Sequence, residues 1–142
     1  DTALALEWAL AHGMREVAVY GALGGRLDHT LATLSALVGA ARARMHAVAV
    51  GEGNAVVALA GGMSLEIAAK NTGTFSVFSA PDASCGLTEC GPLYEVENAT
   101  LRNDVTLGLS NEFVGKPVSI SLEQGAVVVV LPRMPLSDIR IG

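Results

Sequence analysis

The residues best suited to chemistry form one stretch, Gly21-Ala22-Leu23-Gly24-Gly25-Arg26-Leu27-Asp28-His29-Thr30. An apolar segment, Val17 to Tyr20, precedes it, and a segment with helical spacing follows it. A strand, a glycine-rich turn and a helix together direct backbone N–H groups and a helix N-terminus at an anion. The guanidinium of Arg26 matches phosphate oxygens, and the carboxylate of Asp28 suits a hard cation such as Mg²⁺. The pattern is therefore typical of a site for a nucleotide phosphate and its metal.

The same residues also fit a turn that binds nothing. Glycine adopts positive φ without strain, so three glycines favour a tight turn whatever its function. Asp28 is equally suited to act as an ordinary N-cap of the following helix. Local chemistry leaves both interpretations open, and the surrounding elements are needed to separate them.

The first third of the chain has the pattern of an α/β domain. Apolar spacing predicts a helix from Ala3 to about His12 and a second helix from His29 to Ala43. Between them, Glu16 to Tyr20 reads as a buried strand of a parallel sheet. The glycine-rich stretch then lies at the carboxyl end of that strand, where ligands bind in open α/β sheets.

After Arg44 the helical spacing stops and short β-like segments begin. Gln124-Gly125 predicts a tight hairpin turn, and Val127 to Leu131 is apolar enough for a central strand. Many short strands with turn signals indicate a β-sandwich. We therefore predict the C-terminal part of a Rossmann-like parallel α/β domain (1–44), followed by an antiparallel β-sandwich (45–142). The predicted strands are His46–Val50, Ala55–Ala60, Ser64–Ala68, Thr74–Ser79, Leu93–Val96, Val105–Leu109, Pro117–Glu123 and Ala126–Leu131.

Composition narrows the class of protein. With 142 residues, 51% of them hydrophobic and 16% charged, the chain is long and apolar enough to fold around a core. The net charge of −5 and the lack of a basic patch argue against nucleic-acid binding. No uncharged apolar run reaches the roughly 18 residues that a membrane span needs. The only cysteines, Cys85 and Cys90, predict two reduced thiols in a cytoplasmic protein.

Three motifs resemble those of the thiamine pyrophosphokinase family, and they occur in the family's order. The segment from Gly24 to Thr33 resembles GGRxDHxLAN, with Thr33 where the family usually has Asn. Gly86-Leu87-Thr88, followed by Gly91-Pro92-Leu93-Tyr94, resembles GLTxxGLxY, with Pro92 where a Lys is common. Gly108 to Phe113 resembles GxSNEF. The resemblance covers nearly the whole chain.

The resemblance implies an enzyme that transfers pyrophosphate from ATP to the hydroxyethyl oxygen of thiamine, giving thiamine diphosphate and AMP, and that needs Mg²⁺. It implies a homodimer whose active site lies between the α/β part of one subunit and the sandwich of the other. It also implies that an N-terminal portion with further acidic motifs precedes Asp1, as does a first helix without an earlier strand to complete a βαβ unit.

Carried over to this sequence, the resemblance predicts the site residues. Arg26 and Asp28 are the predicted catalytic residues, and Asp1 and Asp28 the predicted metal ligands. The predicted ATP-binding residues are Gly24, Gly25, Arg26 and His29, and the predicted thiamine-binding residues are Ser110, Asn111 and Thr88.

Simpler interpretations of several of these residues stay open. Asp1 also fits a helix cap, His29 a polar residue at a helix start, and Ser110-Asn111 a loop bonded to its own backbone. For the chain as a whole, the alternative function is a non-catalytic relative or fragment that binds thiamine or a nucleotide. A pyrophosphokinase for a different alcohol is a third hypothesis, against which the intact Ser110-Asn111 pair argues.

Overall fold

The computed structural model describes residues 1–142 and contains two helices and eleven strands. Helix α1 spans Thr2–Ala11 and helix α2 spans Leu27–Arg42, and a short 3₁₀ turn covers Leu136–Asp138. The strands are β1 Glu16–Tyr20, β2 His46–Val50, β3 Asn54–Ala60, β4 Ser64–Ile67, β5 Thr74–Ser79, β6 Ala83–Cys90, β7 Val96–Arg102, β8 Asn111–Glu112, β9 Val118–Ser121, β10 Ala126–Pro132 and β11 Ile139–Ile141.

Six strands form a mixed sheet in the order β1-β2-β3-β10-β5-β8. Strands β1 and β2 pair in parallel from Glu16↔His46 to Tyr20↔Val50, and α2 makes the crossover between them. Such a crossover is what parallel neighbours require. Every other pairing in this sheet is antiparallel. Helix α2 packs against β2, β3 and β10.

The other five strands form an antiparallel sheet in the order β11-β4-β9-β6-β7. A single core of buried apolar side chains includes residues from both sheets and both helices. Ser84 on β6 lies inside that core and joins the sheets. Its Oγ lies 2.8 Å from Ser79 Oγ on β5 and donates to the carbonyl of Ala126 on β10 at 2.9 Å. Neither helix is long and apolar enough to cross a membrane.

The structure confirms the predicted order of an α/β start followed by antiparallel strands. Strands β1, β2 and β5 have the predicted bounds, and β10 is a central strand, as its composition predicted. The finer description as a Rossmann-like domain joined to a sandwich, with a division at residue 45, stays a prediction. The six-stranded sheet runs without a break across that point, because β2 pairs with both β1 and β3.

Several strand predictions were wrong. Leu93–Val96 and Val105–Leu109 are mainly loops, because turn hydrogen bonds such as Val105 N to Arg102 O replace strand pairing. Strand β1 is not buried, since it lies at the edge of its sheet and has one neighbour. Strands β6, β7, β8 and β11 were not predicted; β6 and β7 are rich in Ser, Gly, Glu and Asn, which have low strand propensity.

Gln124-Gly125 does not form the predicted hairpin turn. Strands β9 and β10 lie in different sheets, so the chain crosses from one sheet to the other at this point. Gly125 has φ +97, and a Cβ there would lie 2.5 Å from Ser84 Oγ. Glycine is therefore needed at position 125 because the two sheets approach each other closely there, and not because of a hairpin turn.

A glycine substitution tests the packing between β5 and the 105–110 loop. A Cβ on Gly108 would lie 2.1 Å from the carbonyl oxygen of Val77. We expect Gly108→Ala to lower the free energy of unfolding by about 1–3 kcal/mol through overpacking. The matched control is Gly39→Ala in α2, where a Cβ meets nothing within 4 Å, and it should raise stability by about 0.5–1 kcal/mol. Denaturant unfolding of both variants measures the change in the free energy of unfolding. Equal stabilities of Gly108→Ala and the wild type would contradict the predicted clash.

Candidate functional site

A cleft lies at the carboxyl ends of the parallel strands β1 and β2. Tyr20 and Val50, the last residues of these strands, are paired, so the loops that follow them start side by side. The first loop covers residues 21–25 and the second residues 51–53. The two loops and Arg133, which follows β10, enclose about 510 Å³. The lining residues are Tyr20, Gly21, Leu23, Gly24, Gly25, Val50, Gly51, Glu52, Gly53, Asn54 and Arg133.

The two loops contact each other directly. A Cβ on Gly51 would lie 3.1 Å from Leu23 Cβ, so the missing side chain lets the loops approach. Arg133 fixes the second loop from the other side. Its backbone N–H donates to Gly53 O at 3.0 Å, and its Nη1 donates to Gly51 O at 3.2 Å. The cleft is thus shaped by side-chain and backbone contacts within the chain.

Two threonines of α2 anchor the first loop. Thr30 Oγ1 accepts from the Gly24 N–H at 3.1 Å. The buried Thr33 Oγ1 donates to the carbonyl oxygens of Ala22 and His29, each at 3.0 Å. Gly24 has φ +92 and Gly25 has φ +72, which side chains disfavour. The Gly25 N–H donates to no protein acceptor and is therefore free for a ligand.

Arg26 and Asp28 form a paired site at the start of α2. Arg26 Nη2 donates to Asp28 Oδ2 at 2.7 Å and Nε to Oδ1 at 3.2 Å. Both side chains are about two-thirds exposed, so the pair is accessible to a ligand. Arg26 occupies the N-cap position without a side-chain cap bond, and Asp28 lies in the first turn. The interpretation of Asp28 as the N-cap is therefore wrong.

Of the residues predicted for phosphate and metal binding, some line the cleft and others lie outside it. Gly24 and Gly25 line it, whereas Arg26, Asp28 and His29 lie beside it at the helix start. Asp1 caps α1, where its Oδ1 accepts from Ala3 N at 2.8 Å and Leu4 N at 3.4 Å. The structure gathers no group of three or more His, Cys, Asp or Glu side chains that would hold a metal ion.

The predicted thiamine-binding residues lie in a second region. Asn111 is buried, and its side chain makes four hydrogen bonds. Its Oδ1 accepts from the N–H groups of Tyr94 and Glu112, and its Nδ2 donates to Tyr94 O and Glu89 Oε2. That is the full capacity of an amide. Ser110 is exposed in a left-handed conformation with φ +58, as expected for a residue at a specialised turn.

Thr88 lies on β6 next to Glu89, whose side chain contacts Asn111, but neighbouring residues of a strand project to opposite faces, so Thr88 points away from Glu89. Thr88 Oγ1 accepts from the N–H of Asn98 at 3.2 Å. None of Thr88, Ser110 and Asn111 lines the 510 Å³ cleft. A larger cavity, about 710 Å³, lies against β4 and β9 and contains none of the predicted residues.

Glu89 is a feature that sequence reasoning missed. It is 3% exposed, its Oε1 has no hydrogen-bond partner, and Oε2 accepts from Asn111 Nδ2 at 3.5 Å. Burial raises the pKa of the Glu89 carboxyl to about 7, although the bond from Asn111 partly offsets this. The signal was the alternation along β6, which places Glu89 on the same face as the buried Leu87.

Sequence reasoning also missed Glu52 and Arg133 in the cleft. The segment Gly51-Glu52-Gly53-Asn54 lies between the predicted strands His46–Val50 and Ala55–Ala60. It is a second glycine-containing turn at the end of a parallel strand, and that pattern was the available signal. Arg133 follows β10, and its place near the cleft depends on the long-range pairing Pro132↔Asn54.

Comparison with known proteins agrees with the resemblance. Residues 1–49 match the family model described as thiamin pyrophosphokinase, catalytic domain. No curated protein matches the sequence. Solved structures that match include thiamine pyrophosphokinase from Bacillus subtilis, with a TM-score of 0.81 and 23% identity, covering 93% of this chain and 62% of that one.

Two further structures extend the comparison. The enzyme named thiamin pyrophosphokinase from Geobacillus thermodenitrificans matches with a TM-score of 0.78 and 24% identity, covering 92% of this chain and 60% of that one. The thiamin pyrophosphokinase from Candida albicans matches with a TM-score of 0.71 and 17% identity, covering 84% and 44%. The chain thus spans about three fifths of the length of the two bacterial structures.

The fold is therefore that of thiamine pyrophosphokinases. Because residues 1–49, which hold the first glycine-rich loop and the Arg26–Asp28 pair, match the catalytic-domain model, the resemblance to the thiamine pyrophosphokinase family is confirmed.

Glu89 predicts a specific dependence of stability on pH. Its pKa is about 7 in the folded chain against an ordinary 4.5, so the unfolded chain ionises first as pH rises. The wild type should lose stability between about pH 4.5 and 7, by about 3 kcal/mol, and Glu89→Gln should not show this loss. The exposed Glu97→Gln serves as control. Unfolding at pH 5 and pH 8 measures the effect, and parallel pH curves for wild type and Glu89→Gln would contradict it.

Proposed function

We propose that the protein is a thiamine pyrophosphokinase, a transferase that moves the pyrophosphoryl group of ATP to the hydroxyl of thiamine. The products are thiamine diphosphate and AMP. One observation carries the proposal: a glycine-rich loop and the Arg26–Asp28 pair lie at the carboxyl edge of a parallel strand pair, inside the segment that matches the catalytic-domain model. The activity is proposed for the whole protein, since the chain spans three fifths of the related bacterial structures.

In this mechanism the thiamine hydroxyl oxygen bonds to the β-phosphorus of ATP, the bond from that phosphorus to the oxygen of the α-phosphate breaks, and AMP leaves while the hydroxyl proton passes to solvent. Such transfer depends mainly on positioning and on stabilising charge. The free N–H of Gly25 and the turn at Gly24 bind phosphate oxygens in the proposed complex, together with His29 in the first turn of α2. Arg26 neutralises charge on the polyphosphate. Its guanidinium donates to Asp28 in the structure, so a shift of Arg26 toward a phosphate would free Oδ2 of Asp28, while Oδ1 still accepts from the His29 N–H at 3.0 Å.

Magnesium fits this arrangement as a partner of the phosphates. Mg²⁺ is usually held by one or two carboxylates together with phosphate oxygens and water, rather than by a full set of protein ligands. The exposed Asp28 would supply one carboxylate beside the phosphate loop. The proposed second ligand, Asp1, uses its Oδ1 as the cap of α1 and makes no hydrogen bond through Oδ2. When bound, Mg²⁺ would reduce the negative charge on the transferred and leaving phosphates.

Thiamine binding is proposed at Ser110, Asn111 and Thr88. Ser110 offers an exposed hydroxyl, and Asn111 holds the loop through its four hydrogen bonds. These residues do not line the cleft of their own chain, which supports a homodimer whose active site takes the phosphate loop from one subunit and Ser110 and Asn111 from the other.

The second candidate function is a non-catalytic protein that binds thiamine or a nucleotide. The observation that favours it is that Asp1, the proposed second metal ligand, caps α1 through its Oδ1. It predicts ligand binding without release of AMP. An assay for thiamine-dependent AMP formation from ATP and Mg²⁺ therefore separates the two functions.

Replacing Arg26 tests the proposed transfer. The Arg26–Asp28 pair is exposed and contributes at most about 1 kcal/mol to stability, so Arg26→Ala should stay folded. We expect its turnover in the AMP-release assay to fall at least about a hundredfold, because one preorganised charge contact on the reacting phosphates is lost. Arg42→Ala, at the other end of α2, should keep wild-type turnover. Full activity of Arg26→Ala would overturn the assigned role.

A further inference from the structure

Glu52 is the acidic side chain of the cleft for which the proposed mechanism gives no role. It lies two residues after β2, lines the cavity and is exposed. It takes part in no ion pair, and its carboxylate accepts no hydrogen bond from the protein, although Arg133 lines the same cleft. Both of its carboxylate oxygens are therefore available to donors of a ligand.

The loop that carries Glu52 is fixed in place. Gly51 contacts Leu23 of the phosphate loop, and Arg133 holds the carbonyls of Gly51 and Gly53. The Gly51 N–H also donates to Asn54 O at 2.8 Å, which closes the turn. Glu52 therefore lies on a turn that is held by hydrogen bonds, beside the loop proposed to bind phosphate.

The order of the elements assigns a direction to a bound nucleotide. In β-α-β units the phosphates lie at the turn after the first strand, and an acidic residue after the second strand hydrogen-bonds the ribose hydroxyls. Here β1, the glycine turn, α2 and β2 have that order, and Tyr20↔Val50 pairing aligns the two strand ends. A carboxylate next to phosphate oxygens is unfavourable, whereas a carboxylate next to sugar hydroxyls gains charge-assisted hydrogen bonds.

We infer that Glu52 binds the 2′- and 3′-hydroxyls of the ribose of a nucleoside triphosphate whose phosphates occupy the Gly24-Gly25 turn. The inference rests on the proposed function, because it takes the nucleotide to be the phosphate-bearing substrate. It adds a residue that selects ribonucleotides over analogues lacking these hydroxyls. A site that hydrogen-bonds a hydroxyl discriminates against a ligand without it, because its own polar group is then left unpaired.

The test compares three probes with Mg²⁺ by calorimetric titration: ATP, 2′,3′-dideoxy-ATP and inorganic tripolyphosphate. The wild type should bind ATP about tenfold or more tightly than dideoxy-ATP, as expected for hydrogen bonds to a charged group. Glu52→Ala should bind both nucleotides equally, at the affinity of the wild type for dideoxy-ATP. Tripolyphosphate binding should be the same for both proteins. Glu97→Ala, an exposed acid on β7, should behave as the wild type.

The outcomes separate the inference from the proposed function. If Glu52→Ala still prefers ATP over dideoxy-ATP by the wild-type factor, the inference is overturned, whatever the AMP-release assay shows. If the preference is lost but the wild type releases no AMP with thiamine, the ribose contact stands and the transferase proposal fails. If neither ATP nor tripolyphosphate binds, both are overturned.

Discussion

The parallel pairing of β1 with β2 is the constraint on which the site depends. Five backbone register pairs, from Glu16↔His46 to Tyr20↔Val50, bring two loops 30 residues apart in sequence to one edge of the sheet. Helix α2 makes this pairing possible, because parallel neighbours need a crossover. The same helix supplies Thr30 and Thr33, which hold the first loop, and Arg26 and Asp28 stand at its start. One crossover therefore positions the glycine turn, the charged pair and Glu52 relative to each other.

The pairing of β2 with β3 extends this constraint into the rest of the chain. Strand β3 pairs with β10 along seven residues, down to Pro132↔Asn54, and Arg133 follows at the cleft. The cleft is thus bounded by elements from the start, the middle and the end of the sequence. A nucleotide bound there would contact a single mixed sheet rather than a hinge between two separate sheets.

Sequence patterns predicted the elements that local physics determines. The short apolar runs of β1 and β2 are bounded by glycine turns, and α2 has clear helical spacing, so these were found with the correct type and nearly the correct ends. The resemblance brought out the glycine turn and the Arg26–Asp28 pair together, and the structure shows them adjacent. Their roles, and those of Ser110, Asn111 and Thr88, stay predictions.

What the patterns did not reveal depends on long-range contacts. Whether Gln124-Gly125 forms a hairpin or a crossing is decided by the partners of β9 and β10, not by the turn residues. Glu89 lies two residues after Leu87, but its burial could not be predicted because β6 was not predicted to be a strand. The position of Glu52 at the cleft depends on the parallel pairing that brings the ends of β1 and β2 side by side.

The hydroxyl of Ser84 has a mechanical consequence. Apolar contacts between two sheets are less directional than hydrogen bonds, which fix both a distance and an angle. Ser84 on β6 bonds to Ser79 of β5 and to Ala126 of β10, next to the buried apolar side chains of the core. These bonds fix the position of β6 relative to β5 and β10, two strands of the sheet that carries the cleft. These hydrogen bonds oppose sliding of β6 over β5 and β10, so we expect movements near the cleft to occur in its loops rather than between these strands.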